Sequence, residues 1–366
     1  MTSNPEATGP GAPLARARLF CEQNNLAIPV LLAPMAGACP ASLSIAVANA
    51  GGLGACGALL MQPEAIKAWA AEVRAGSEGG FQLNLWIPGP PPPREPAAEA
   101  AVRAFLSQWG PEPAPDAGET RPPDFAAQCE AMLEAQPAVI SSIMGLYPPE
   151  FVQRMKARGI KWFANVTTVA EALLAEAAGA DAIVVQGMEA GGHRGAFDAQ
   201  TAESAMVGLF SLLPAVCDAV NRPVIASGGI ADARGMAAAL ILGASAVQIG
   251  TGFLRCPEAK LPPAWAAALG QAKPEDTIVT RAFSGRPGRS LANAYARAAA
   301  APGAPDPAPY PVQRGLTQAM REQAGKNGDI TRMQAWAGQS AGMAATDSAA
   351  AVARAIWAGT IARLGG

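Results

Sequence analysis

One histidine, His193, serves the whole of this 366-residue chain. The six cysteines, Cys21, Cys39, Cys56, Cys129, Cys217 and Cys256, form no CxxC pair, and no Cys/His spacing matches a zinc site. No metal centre is therefore expected. The thiols are expected to be reduced, as in a cytoplasmic protein. The formal net charge is only −2, which offers nothing to nucleic acid or to a charged membrane surface, so neither is an expected partner. No uninterrupted apolar run is long enough to span a bilayer. The opening MTSNPEATGPGAPLARARLF has no apolar h-region and does not read as a secretory signal. Residues 1–18 are expected to form a flexible leader, with order starting near Leu19. No GxGxxG opens a helix after the first apolar run, which weakens a doubly wound dinucleotide fold.

What is present is a rhythm. Short apolar runs recur, each followed by a turn and an Ala-rich helical pattern. Strands are predicted at Pro29–Ala33, Leu53–Cys56, Phe81–Trp86, Ala138–Ser142, Trp162–Val166, Ala182–Gln186, Val224–Ser227 and Ala246–Ile249. Their apolar character suits parallel strands buried on both faces. Helices are predicted at Ala41–Asn49, Pro63–Arg74, Pro149–Arg158, Val169–Ala178 and Ala231–Leu242, several of them stopped by glycine. Eight strands with helices between them predict an α/β fold, a (β/α)8 TIM barrel.

Two segments break the rhythm. The excursion 88–123 contains PGPPPPREP and one short helix, Ala97–Trp109. It reads either as a polyproline spacer or partner-binding stretch, or as a roof over the active face of the barrel. Residues 259–329, irregular and rich in Pro and Ala, read as an inserted lid or substrate-pocket segment. The expected organisation is a leader (1–18), a barrel (19–258), the insert (259–329) and C-terminal helices returning to the barrel (330–366).

Chemistry in a βα barrel sits where strands end. ASGGI after the seventh predicted strand and QIGTG after the eighth have the layout of a phosphate cradle, with Gly228, Gly229, Gly250 and the Thr251 hydroxyl as donors. The same glycines would also serve simple tight turns. The other strand ends offer amides, Asn84, Gln186 and Gln248, with Pro34 and Met35 able to pack a ring face. No lysine sits at a strand end for a Schiff base, and no acidic pair or cluster serves a glycosidase or a divalent cation. Such a site looks built around an organic cofactor. EAGGHRG, after the sixth strand, puts His193 above it, as a general base, as a cationic donor, or as a turn cap.

In order along the chain stand LLAPMAGACPASLSIAVANAGGLGACG, LNLW, AIVVQGMEAGGHRGAF, VIASGGIADARGMAAALILGASAVQIGTGFL, TRAFSGRPGRS and QAWAGQSAG. In these motifs, over about residues 28–345, the chain resembles the nitronate monooxygenases, formerly called 2-nitropropane dioxygenases. The resemblance implies a TIM barrel holding non-covalent FMN, with a smaller added domain over the site. It implies that Ala33, Met35, Asn84, Gln186 and Gly191 line the flavin, and that Gly228, Gly229, Gly250 and Thr251 hold its phosphate. Trp336, Gly338 and Gln339 are implied to return from the C-terminal segment to the cofactor. His193 matches the catalytic histidine. The implied reaction is oxidation of an alkyl nitronate, such as propionate 3-nitronate, by O2 to nitrite and a carbonyl compound. Protonated, His193 would hold the nitronate; neutral, it would deprotonate a nitroalkane. Tyr295 and Tyr310 are expected as pocket walls, Arg194 as a solvent or ion-pair residue, and Arg286 and Arg289 as solvated or anion-attracting residues. SSIMG replaces an aromatic or a histidine that many relatives carry after the fourth strand, so the substrate is less fixed than the cofactor. The alternative on the same scaffold is an NAD(P)H-dependent flavin reductase acting on quinones or enoyl thioesters. The expected assembly is a monomer or homodimer.

Overall fold

The computed structural model describes residues 12–365; the first part of the expected leader, residues 1–11, lies outside them. Eight parallel strands form one sheet: β1 (Val30–Leu32), β2 (Gly54–Gly57), β3 (Phe81–Trp86), β4 (Val139–Ile143), β5 (Lys161–Val166), β6 (Ala182–Gln186), β8 (Val224–Ser227) and β9 (Ala246–Ile249). Between β6 and β8 lies a two-residue strand, β7 (Gly192–His193), that belongs elsewhere. The sheet closes where Leu32 N–H donates to Leu53 O (2.9 Å) and Leu53 N–H donates to Val30 O (3.2 Å), joining β1 to β2. The result is the predicted (β/α)8 barrel. β1, β2, β6, β8 and β9 are buried at every position, as strands covered on both faces must be.

The N-terminal end of the barrel is plugged. Leu31, Leu53, Val139, Phe163, Val184 and Ile225 fill its interior, together with Phe20 from a helix spanning Ala12–Asn24. Order therefore begins before the Leu19 expected from sequence. Leu14, Ala17, Phe20 and Cys21 recur at helical spacing and are buried, so burial of one face fixes a helix whose composition looked like a leader.

After β9 the chain leaves the barrel and builds a cap. The 259–329 segment is not irregular. It holds helices Pro263–Gln271, Ala294–Ala299, Val312–Leu316 and Gln318–Asn327, and strands β10 (Thr277–Thr280) and β11 (Gly288–Leu291). β10 pairs with β11, and β11 with β7, in an antiparallel three-stranded sheet. The cap has its own core of Phe283, Tyr295, Val312, Leu316 and Met320. Val102 and Leu106, from the helix Pro96–Leu106 in the proline excursion, complete that core. The excursion is thus part of the roof.

The last helix, Ala349–Arg363, packs between Ala233–Ile241 and Ala41–Asn49. It supplies the outer helix that the ring needs between β9 and β1. Among the described residues no helix is long and apolar enough to cross a membrane.

Candidate functional site

A cavity of about 390 Å³ opens between the C-terminal ends of the barrel strands and the cap. The barrel gives it Ala33 and Met35 after β1, Asn84 from β3, and Gln186 from β6. Gly228 and Gly229 follow β8, and Gly250 and Thr251 follow β9. Gly191 and His193 stand on the β7 turn, while Tyr310, Trp336 and Gly338 come from the cap side. Residues spread from 33 to 338 thus meet at one opening. Among the described residues no Asp, Glu or Lys lines it.

Two of the expected residues are elsewhere. Tyr295 is a core residue of the cap, 1% exposed, with its hydroxyl donating to Ala282 O at 3.0 Å and its ring packed on Phe283 and Trp109. A small domain needs a core of its own, and Tyr295 supplies it. Gln339 does not line the cavity; its backbone N–H donates to Glu189 O at 2.9 Å, which docks the C-terminal segment on the glycine turn. Gln186 lines the cavity, but its amide already has work: Nε2 donates to His193 O (3.0 Å) and Oε1 accepts from Gly195 N–H (2.8 Å). It pins the histidine loop.

The glycine loops are shaped for close approach. Gly228 and Gly229 have φ of +106° and +69°, a region that favours glycine. Their backbone N–H groups have no acceptor among the described residues. The helix Ala233–Ile241 behind them is already capped by the Asp232 carboxylate, which accepts from Arg234 and Gly235 N–H, so its terminus is not the anion site. A Cβ on Gly191 would lie 2.5 Å from Gly338 N and 2.9 Å from Thr251 Oγ1. Gly338 N–H donates to that hydroxyl oxygen at 3.0 Å, so three distant segments interlock around one missing side chain. Glu189 turns away: its carboxylate accepts from Leu209 N–H at 2.9 Å and caps the helix Leu209–Ala219.

His193 is not in a free turn. As part of β7 it pairs with Gly288, and Arg194 N–H donates to Pro287 O at 2.9 Å. The glycine-rich stretch hid this strand because its partner lies far along the chain. The imidazole stands edge-on between Trp86 (4.6 Å between ring centroids) and Trp336 (4.7 Å). Its Nε2 is 2.7 Å from Ser284 Oγ. Burial, then the Arg286 and Arg314 charges, push its pKa down to about 3. The imidazole is neutral at neutral pH, which disfavours the protonated alternative.

The arginines also differ from expectation. Arg194 is buried and donates to Gln186 O (2.7 Å), Thr167 O and Ala205 O. Arg289 is buried and donates to Met188 O and Thr277 Oγ1. Arg286 is half-buried, 6.0 Å from the Trp86 ring centre. Backbone carbonyls supply Arg194 and Arg289 with acceptors that the sequence cannot display.

Sequence reasoning missed Ser284, Asn165, Trp265, Arg314 and Arg321, all on the cavity wall. Asn165 lies on the predicted fifth strand, so the strand-end rule reaches it. Ser284 stands inside TRAFSGRPGRS. The others carried no local signal. Asn165 Nδ2 and Trp265 Nε1, on two residues of the cavity wall, are buried donors with no partner among the described residues. No cluster of three or more His, Cys, Asp or Glu positioned for a metal occurs among the described residues.

A family model described as nitronate monooxygenase matches residues 20–356. The chain is 36% identical over 326 residues to a nitronate monooxygenase from Paraburkholderia phytofirmans, covering 86% of this chain and 87% of that protein. It is 38% identical over 322 residues to a nitronate monooxygenase from Pseudomonas aeruginosa, covering 86% and 91%. Among solved structures, nitroalkane oxidase from Streptomyces ansochromogenes is similar with a TM-score of 0.84 at 33% identity, over 93% of this chain and 98% of that one. FabK from Thermotoga maritima is similar with a TM-score of 0.74 at 28% identity, over 95% and 97%.

Proposed function

The chain belongs to the nitronate monooxygenase family, and on that premise we propose that it oxidises alkyl nitronates, such as propionate 3-nitronate, with FMN and O2, giving nitrite and a carbonyl compound. The observation that carries this reading is the cavity itself: a glycine-cradled, acid-free pocket with one neutral histidine and unpartnered N–H donors.

The family is flavin-dependent in general, and the residues present fit that group. The unspent N–H groups of Gly228 and Gly229 suit a phosphate, with Gly250 and the Thr251 hydroxyl beside them. The orphaned Asn165 Nδ2 and Trp265 Nε1 suit the carbonyl, nitrogen and hydroxyl acceptors of a flavin and its ribityl chain. Ala33, Met35, Asn84, Gly191, Trp336 and Gly338 supply apolar and backbone wall. When bound, FMN supplies the redox chemistry that no side chain in the cavity offers. In this reading the barrel is the cofactor domain and the cap the substrate domain.

His193 then acts as a neutral hydrogen-bonding group. Its Nε2 shares a 2.7 Å hydrogen bond with Ser284 Oγ, which also accepts from Arg286 N–H and faces Arg286 O, both at 3.3 Å. With its proton on Nδ1, the neutral ring would donate to a nitronate oxygen. A base with a pKa near 3 is poorly matched to a carbon acid. The arrangement therefore favours a preformed nitronate over the parent nitroalkane. Trp86, Trp336 and Tyr310 exclude water around that hydrogen bond.

The test is direct. Purified protein is expected to carry FMN and, mixed anaerobically, to be bleached by propionate 3-nitronate and not by NADH. A flavin-free preparation overturns the reading. Rapid bleaching by NADH with inertness toward nitronate establishes the reductase alternative instead.

A further inference from the structure

Gln82 puts an uncharged amide deep inside the barrel. The residue is wholly buried, at 0% exposure, and does not line the cavity. In register it stands beside Ala55 of β2 and Val139 of β4, and Val139 belongs to the apolar plug. Residues two apart on a strand share a face, so Gln82 faces the barrel interior like Asn84, one step deeper. Its Nε2 donates twice, to Leu32 O at 3.0 Å and to Gln248 Oε1 at 3.1 Å. Its Oε1 is buried with no partner among the described residues. A backbone carbonyl can only accept, so the Leu32 contact decides which end of the Gln82 amide faces it. The same nitrogen meets Gln248, which must therefore answer with its oxygen. Gln248 is 7% exposed and lines the cavity, and its Nε2 has no acceptor among the described residues. Orientation is thus passed from Leu32 O through two amides to an N–H2 group at the cavity floor.

We propose that Gln82 is a positioning residue: it locks the Gln248 amide with its N–H2 toward the cavity, so that the floor is a committed donor to an acceptor atom of FMN. The inference rests on the FMN reading above. Unlocked, the Gln248 amide is free to turn its oxygen to the cavity, and an oxygen there repels the carbonyl, ring-nitrogen and phosphate acceptors that FMN carries. The lock leaves Gln82 Oε1 without a donor, a loss of stability that an apolar side chain at this position would avoid. The plainer role for Gln82 is a stitch, because its bond to Leu32 O also ties β3 to β1 across β2. The two roles part at Gln248: a stitch has no use for it, and the lock acts only through it.

The experiment measures FMN affinity of the full-chain apoprotein, by quenching of FMN fluorescence, in wild type, Gln82→Met, Gln248→Met and the double variant. Each single substitution is expected to weaken binding roughly 10-fold. The double variant is expected to bind no more weakly than the weaker single, because the two residues act as one unit. Losses that multiply to about 100-fold in the double variant overturn the proposal; so does a Gln82→Met protein that binds FMN as wild type does. A stitch that merely steadies the barrel gives the multiplied loss, so general destabilisation does not imitate the coupling. A second variant leaves Gln82 in place: Gln248→Glu puts an oxygen where the N–H2 stood. It is expected to bind FMN more weakly than Gln248→Met, and equal or tighter binding overturns the proposal even where Gln82→Met fails to fold. Wild-type apoprotein that takes up no FMN sinks the cofactor reading and the proposal together. FMN uptake with uncoupled variants sinks the proposal alone.

Discussion

The rim of the barrel and the underside of the cap face each other across one cavity and differ in charge. The rim presents backbone, amides, glycines, the Trp86 indole and one neutral imidazole. The cap presents indoles, a phenol and both of the cavity's guanidiniums. The rim is rigid because its loops end strands already fixed by the barrel core. The cap is held by its own smaller core and by the strand pairing of β11 with β7. The difference teaches a division of labour: an uncharged, preorganised surface suits a cofactor that stays, and a charged, separately built surface suits a substrate that comes and goes.

That division can be broken, and the largest effect is expected at the seam. His193→Asn should keep FMN, since the glycine loops are unchanged, yet lose roughly 10²- to 10⁴-fold in turnover; stopped-flow bleaching by nitronate measures it, and undiminished bleaching would remove His193 from the chemistry. Next comes Gly191→Ala. Its methyl would press on Gly338 N and Ala337 C at 2.5 and 2.7 Å, so the docking of cap on rim should fail and FMN should dissociate on desalting. A yellow, tightly loaded variant would show that the interlock is dispensable. Trp265→Phe sharpens the comparison, because this cap residue is assigned to the cofactor. About a tenfold weaker FMN affinity, read by fluorescence quenching, is expected from one lost donor. The smallest effect is Tyr295→Phe: about 1 kcal/mol of stability lost with its bond to Ala282 O, and no change in KM if Tyr295 only builds the cap core.

The pH behaviour separates the two surfaces as well. His193 has its folded pKa lowered from 6.5 to about 3. As pH falls below 6.5 the unfolded chain takes up a proton that the folded chain refuses, so stability falls progressively until about pH 3. His193→Asn should flatten that part of a chemical-denaturation profile. A slope unchanged by the substitution would place the titration elsewhere.

The fold was legible because it rests on short apolar runs whose period and spacing survive any context. β3, β6, β8 and β9 have the predicted bounds, and the other barrel strands differ by a residue or two. The glycine loops were legible for a similar reason, since the φ values at Gly228 and Gly229 leave few other residue types. What stayed hidden depends on partners far along the chain. β7 exists only because Gly288 and Arg289 come to meet it. The depressed pKa of His193 comes from the shielding of a half-buried ring, with the Arg286 and Arg314 charges adding to it. Tyr295 was misplaced because an aromatic in a lid looks like a pocket wall until the lid is seen to need an interior. The Ala12–Asn24 helix has mixed composition and declares itself only through Phe20 at the base of the barrel.

The position of Ala349–Arg363 has a consequence for biogenesis. The ribosome delivers β9 and then the entire cap before it delivers the helix that seals the ring between Ala233–Ile241 and Ala41–Asn49. Throughout that interval the nascent barrel stands open along one side, with apolar flanks of both neighbours uncovered. Closure joins segments of very high sequence separation. A nonsense mutation near residue 345 would therefore spare every wall of the cavity yet release an unsealed, aggregation-prone chain.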